Sequence, residues 1–366
     1  MIFLANVEYS EIEGISKKIQ SQAKSISELK KECKLICKKE NSTLIVQYKN
    51  GSQISTKNSE NTILDEAINV LNDAKDIEGI YVRHMIPSIK LVKILKLARK
   101  KNKKVYYEIP TYPYYGEQIK ASKNRIKTIG RLTIDTIFWP FLYKYINKLV
   151  IVKSSSKVKL YSKMINITNG IDSSKIENKD YDKSTFDKIF KLVGVGTIYK
   201  YHGYDRVINA IKRCNGMIDG KKVEFHIIGA SREIDNLKEM TKKLSLQENI
   251  IFHGKMKFDE LNNICNQMDL GVGCVALFRR DADIDTTLKV IEYLSRGLPV
   301  LTSGDLPKIK SIQFPNIKVS NDEEELNIEE IYNKFKDFDN DKLRNLSSIA
   351  KKNFDWKNIF EYIFSK

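Results

Sequence analysis

Lys289, Glu292 and Arg296 stand three and four residues apart in the stretch TTLKVIEYLSRGLPVLTS, Thr286 to Ser303. That spacing puts them on one stripe of a helix that Gly297 would stop. A helix opening near Thr286 at the mouth of a binding crevice has unpaired N–H groups and a positive dipole end, and both favour an anion. Lys289 adds a full charge for phosphate, Glu292 one turn on can accept two hydrogen bonds from a ribose diol, and Thr287 sits at the same helix end. The same spacing also suits surface pairs worth about 0.2–0.5 kcal/mol, so it does not decide by itself.

A second anion-binding pattern is GVGTIYKYHGYDR, residues 194–206, between an expected strand and an expected helix. Gly194 and Gly196 allow backbone N–H groups to approach a phosphate, while Lys200, His202 and Arg206 offer charge or donors. The third glycine of a dinucleotide fingerprint is replaced by Tyr199, which argues against a nicotinamide-dependent dehydrogenase. Arg279 and Arg280 suit a phosphate or a solvated loop equally. Arg83 and His84, at a strand end in YVRHM, could face a crevice or stabilise a loop. His226 and His253 alternate into strand patterns and read as structural.

These groups need a scaffold, and 366 residues predict two domains. Short apolar strands alternate with amphipathic helices: MIFLANV, a helical pattern over about 15–38, STLIVQYK, LDEAINVLNDA, GIYVRHM, SIKLVKILKLARKK and KKVYYEI. The alternation restarts at DKIFKLVGVGTI and runs to LPVLTS. Repeated βαβ units predict an α/β chain of two Rossmann-like parallel-sheet domains. Their expected extents are 1–184 and 185–353, with the charged stretch ENKDYDKSTFDK as linker. Ligands are expected at the carboxyl ends of the strands.

Five cysteines at 33, 37, 214, 265 and 274 show no metal-ligand spacing and read as thiols in a reducing compartment. Cys33 and Cys37 fall in the Lys-rich helical pattern. The opening apolar run is too short for a signal peptide or a membrane span, so a cytoplasmic location is expected.

The net charge of +17 is concentrated: residues 118–159 hold ten Lys or Arg against one acid, Asp135. Within them lies TIFWPFLYKYI. Arg131 and Lys144 flanking Phe138, Trp139 and Phe141 suit the interface of an anionic bilayer, where each basic residue near the surface contributes about 1 kcal/mol. Nucleic acid is not expected as a partner, since no recognition motif accompanies the charge.

Taken with NITNGID and GISKKIQSQAKSI, the runs LKVIEYLSRGLPVLTS and LVGVGTIYKYHGYDRVINAI resemble GT-B glycosyltransferases of the family 4 type. EIPTYPY and HGYDR are similar to segments of those that assemble bacterial capsules and other surface polysaccharides. The resemblance implies GT-B architecture, two Rossmann-like parallel-sheet domains facing across a cleft. It also implies a nucleotide-sugar in the C-terminal domain, an acceptor on the N-terminal one, and a last helix, 354–366, crossing back. Glu292 matches the second glutamate of the E-x7-E motif, which holds the ribose. The first, a donor-sugar contact, is replaced by Ile284, with Asp283 or Asp285 as substitutes. The family's phosphate-binding Lys-Gly appears as His202-Gly203, leaving Lys200, Arg206 or Lys289 to carry the charge. Gly14 matches the glycine-rich loop after the first strand, and Glu108 stands where many relatives have an acceptor-facing histidine. The stretch DAD, Asp281 to Asp283, superficially matches a metal-binding motif of another fold, but the GT-B type uses cationic side chains, so no metal or other cofactor is expected.

The expectation is a glycosyltransferase, peripheral on the inner face of the cell membrane. It would move a hexosyl group from a nucleoside-diphosphate sugar, foremost a UDP-sugar, to a polyprenyl-linked or other saccharide acceptor in surface-polysaccharide synthesis. Lys289 and Arg206 would stabilise the leaving diphosphate. The resemblance implies retention, with Glu108 orienting the acceptor; in an inverting enzyme Glu108 would be the general base. The alternatives are a non-catalytic membrane- or glycolipid-binding module, or a GT-B epimerase or phosphorylase.

Overall fold

The computed structural model describes residues 1–11, 13–73, 76–122, 124–177, 179, 188–307 and 313–366. The chain divides into two compact units: 1–153, 157–170 and 356–366 form the first, and 154–156 with 171–355 the second. The expected boundary at 184/185 and most of the expected linker lie outside the described residues.

The first unit is built on β1 (Ile2–Glu8), β2 (Glu32–Lys39), β3 (Ser42–Lys49), β4 (Ser52–Ser59), β5 (Gly79–Arg83), β6 (Lys104–Tyr112), β7 (Lys148–Lys153) and β8 (Met164–Ile167). Their order is β4-β3-β2-β1-β5-β6-β7-β8. From β2 to β8 neighbours are parallel, whereas β3 and β4 add an antiparallel meander. Its helices are α1 (Gly14–Lys30), α2 (Ile63–Asp73), α3 (Ile89–Lys100), α4 (Tyr115–Ala121) and α5 (Arg125–Tyr143). Ser88 caps α3 and Asn124 caps α5, each accepting a bond from an N–H of the first turn.

The helix expected over 15–38 stops at Lys30, and Cys33 and Cys37 lie in β2. Cys33, Leu35 and Cys37 alternate, and all three are buried in the core that also holds Ile19, Ala23 and Ile26 of α1. A period of two fits that pleat, and this packing outweighs the helix preference of the lysines.

The second unit contains β9 (Ile189–Val195), β10 (Met217–Ile218), β11 (Lys221–Ile228), β12 (Ile250–Gly254), β13 (Leu270–Val272), β14 (Val300–Thr302) and β15 (Asn316–Lys318). They are ordered β10-β11-β9-β13-β14-β15, with β12 paired to β11. Its helices are α6 (Tyr204–Arg213), α7 (Arg232–Lys243), α8 (Phe258–Cys265), α9 (Leu288–Arg296), α10 (Ile328–Lys336) and α11 (Asn340–Phe354). The last helix, α12 (Trp356–Ser365), belongs to the first unit. It buries Trp356, Ile359, Phe360 and Ile363 with Phe3 and Tyr81. At about 1.5–3 kcal/mol for each large apolar side chain, this holds α12 firmly.

Candidate functional site

In the second unit, β9 has β11 on one side and β13 on the other, so the strand order reverses there. Loops diverge at the carboxyl edge of such a reversal, and open parallel sheets bind ligands in that gap. The end of β9 is shaped by glycine. A Cβ on Gly194 would meet the Tyr204 ring at about 2.5 Å, and Gly196 has φ +122°, which side chains resist. Tyr204, first residue of α6, is therefore pressed over the strand.

Lys289, in the first turn of α9, donates to the Tyr204 hydroxyl at 3.1 Å and lies 5.0 Å above its ring. The Tyr204 hydroxyl in turn donates to the Val272 carbonyl. Lys289 is buried, and among the described residues no carboxylate forms an ion pair with it. Burial lowers its ammonium to about 8, against a partial upward pull from Cys274 and Asp285, with Arg280 adding to the fall. His202 is buried on the 3-10 turn before α6, and its Nδ1 accepts the Tyr199 N–H at 3.0 Å. That bond leaves the ring proton on Nε2. Burial, then the charges of Lys289 and Arg280, hold His202 well below the usual histidine range, so it is a neutral donor. Arg280 stacks 4.7 Å over Tyr201, beside these two. An ammonium, a guanidinium and an imidazole N–H thus gather at the opening of α9, whose N-cap Thr287 makes no capping bond to the helix. The group suits a diphosphate.

Of the paired arginines only Arg280 joins this group. Arg279 makes a bidentate pair with Asp205 at 2.8 and 2.9 Å and another with Glu323 at 3.1 Å. Arg206 is a correction to the expectation that it holds phosphate. Its guanidinium donates to the carbonyls of Val275, Ser320 and Glu324, so it ties two loops together. Lys200 is exposed on the 3-10 turn, with its carbonyl taken by Arg279.

The aspartates beside Ile284 are also corrected as sugar contacts. Asp283 accepts from the Ser156 N–H and hydroxyl. Asp285 is fully buried and accepts from the Cys274 N–H, the Thr302 hydroxyl, and both the N–H and hydroxyl of Thr287. Both carboxylates hold the loop that leads into α9. Thr287 is thereby positioned by Asp285, and Glu292 lies half-buried one turn beyond Lys289. Among the described residues no cluster of three or more His, Cys, Asp or Glu could hold a metal ion.

In the first unit Glu108, on β6, is fully buried and accepts four donors. Lys18 at 2.9 Å and Arg83 at 3.1 Å meet Oε1; Gln22 at 2.7 Å and Tyr81 at 2.8 Å meet Oε2. Burial by itself would push the carboxyl up, but Lys18 and Arg83 outweigh it and hold the group down at about 2. A carboxylate so bonded is a poor proton acceptor, which argues against the general-base role that an inverting enzyme would give it. His84, next along the chain, meets Asp135 at 3.3 Å and the Tyr107 hydroxyl at 3.0 Å, so both ring nitrogens are engaged. Gly14 is the exposed first residue of α1.

Helix α5 carries the basic aromatic segment. Phe141 is 58% exposed, and Ile126, Ile129, Ile134 and Ile137 are exposed with it, as are Arg131 and Lys144. Trp139 corrects the expectation: it is half-buried and packs on Tyr107 and Tyr143. Phe138 is half-buried. The outward apolar stripe is therefore isoleucine and Phe141 rather than the Phe-Trp pair. Among the described residues no helix is long and apolar enough to cross a membrane.

The sequence reading passed over Tyr204, Lys18 and Gln22. Lys18 and Gln22 carried a signal, since both lie on the stripe of α1 that also bears the apolar Ile19, Ala23 and Ile26. Polar groups on a core-facing stripe need partners. Tyr204 carried none, because its place depends on Gly194, ten residues earlier.

Together the two Rossmann-like units have the GT-B fold. Residues 189–327, within the second unit, match the model of the family described as Glycosyl transferases group 1. The whole chain superimposes on HepE from Anabaena, solved with UDP, with a TM-score of 0.61, 13% identity and coverage of 100% of this chain and 99% of that one. For sucrose-phosphate synthase from Thermosynechococcus elongatus the values are 0.63, 10%, 100% and 98%. The catalytic domain of starch synthase IV from Arabidopsis thaliana, bound to ADP and acarbose, gives 0.64, 10%, 100% and 98%. No curated protein sequence matches the chain.

Proposed function

We propose that this chain is a glycosyltransferase that binds a nucleoside-diphosphate sugar, foremost a UDP-sugar, in its second unit. The observation that carries this reading is Lys289: a buried ammonium at the start of α9, with Tyr204 as its hydrogen-bond partner. Burying a charge without a counter-charge is costly, and a bound diphosphate would supply that counter-charge. The UDP complex of HepE and the ADP complex of starch synthase IV, two structures of similar fold, support a nucleotide ligand.

In the proposed reaction Lys289, Arg280 and the Nε2–H of His202 hold the diphosphate as it departs, and Glu292 fixes the ribose. Charge placed in advance stabilises the negative oxygen that develops, without reorganisation at the moment of transfer. No metal is needed for this. The sugar keeps its anomeric configuration and passes to a polyprenyl-linked saccharide held by the first unit. Loading occurs at an anionic membrane, where the exposed isoleucines of α5 and Phe141 enter the interface beside Arg131 and Lys144. We place the enzyme in surface-polysaccharide synthesis on the cytoplasmic face.

A calorimetric panel of UDP, GDP, dTDP and their sugar conjugates, each with magnesium and with a chelator, tests the donor. Saturable binding of one nucleotide in chelator is the expected result. A folded protein that binds none of them would overturn the reading.

A further inference from the structure

The first unit also has a strand-order reversal, at β1, which is flanked by β2 and β5. Its carboxyl edge is the second place in the molecule where an open sheet prepares a ligand crevice. Arg83 is the last residue of β5, and Lys18 comes from the helix that follows β1. Both reach the same oxygen of Glu108. Lys18 also donates to the Asn169 side chain at 2.7 Å, and the other Glu108 oxygen is taken by Gln22 and Tyr81.

Two cations share one carboxylate, so the cluster carries a formal excess of one positive charge. The side chains of Glu108, Lys18 and Arg83 are 0%, 3% and 10% exposed. Low-dielectric surroundings make such an excess costly unless an anion joins it. Lys18 is used up inside the cluster. Arg83 is not: Glu108 is its one partner among the described residues, so most of its N–H groups remain unbonded at the strand end. A planar guanidinium with an unused edge matches the paired oxygens of a phosphate.

We propose that Arg83 forms an oxyanion subsite of the first unit that takes the phosphate group of a phosphorylated ligand. Glu108 and Lys18 fix its orientation, with Glu108 holding one end of the guanidinium so that the other faces outward. That the phosphate arrives on an acceptor rests on the glycosyltransferase reading; the subsite itself does not.

The experiment titrates the full-length chain calorimetrically with inorganic pyrophosphate and with farnesyl diphosphate, first alone and then with UDP saturating the second unit. One further site per chain is expected while UDP is bound, and Arg83→Gln should weaken it at least tenfold with UDP affinity unchanged. Arg83→Gln leaves Glu108 paired one-to-one with Lys18 and should stay folded. Arg83→Lys, which keeps the charge but loses the fork, should fall between the two. Tighter binding of farnesyl diphosphate than of pyrophosphate identifies a lipid-borne phosphate, and equal binding identifies recognition of phosphate alone. Loss of the pyrophosphate site when UDP is bound, or identical titrations for Arg83→Gln and the native chain, would overturn the proposal. A protein that fails to bind UDP but binds pyrophosphate through Arg83 would overturn the donor reading and leave this one standing.

Discussion

The Lys289 ammonium lies 3.1 Å from the Tyr204 hydroxyl and 5.0 Å above the same ring. One tyrosine thus serves both as acceptor and as aromatic support for a buried charge. Lys289→Met should lower UDP affinity by roughly 10- to 100-fold, the loss of one charge-assisted contact. The same variant should be as stable as the native chain or more so, by on the order of 1–3 kcal/mol. Calorimetry and thermal melts on one preparation check both; a destabilised variant with intact UDP binding would show that Lys289 serves the fold.

Acidity gives an independent reading of this lysine. Its folded value of about 8 lies below the ordinary 10.5 of a lysine, so between these limits the unfolded chain holds a proton that the native chain has released. Stability should therefore rise across that window, and the burial cost is fully present below it. Lys18 is lowered to about 8 as well, so the difference between the native chain and Lys289→Met isolates Lys289. UDP affinity should fall as pH rises through about 8.

Arg206 and Arg280 should separate cleanly. Arg206→Ala removes the donors of three backbone carbonyls and should cost roughly 2–4 kcal/mol in a denaturant titration. Arg280→Ala should change stability little and lower UDP affinity by about tenfold. The reverse pattern would exchange their roles.

Glu108 should declare itself in acid. Held at about 2 against an ordinary 4.5, it contributes stability that is fully present above about 4.5 and lost as pH falls towards 2. Glu108→Gln leaves Lys18 and Arg83 without a counter-charge and should cost on the order of 3–5 kcal/mol. An acid-denaturation series of the two proteins tests this.

On α5, changing Ile134, Ile137 and Phe141 together to Ser should release the chain from anionic vesicles with its melting temperature unchanged. Trp139→Ser should instead lower the melting temperature, because that ring packs against Tyr107 and Tyr143. Co-sedimentation and thermal melts distinguish the two.

The sequence by itself determined the alternation of strands and helices, two Rossmann-like units and the helix that begins beside Lys289. Each of these follows from local patterns: apolar periodicity or a glycine after a helix. It misread residues 31–38 because lysines favour a helix, while the alternating Cys33, Leu35 and Cys37 are set by a pleat paired to β1 and to the hairpin partner β3. Only the tertiary structure decided which charged residues are committed to the fold. Arg206 and Arg280 look alike in the sequence, yet one donates to backbone carbonyls and the other stacks over Tyr201. That Glu108 is held by Lys18, 90 residues away, is likewise invisible in the sequence. Spacing along a chain sets which face of an element a side chain occupies; its charge state and its unused donors depend on neighbours that only folding brings near.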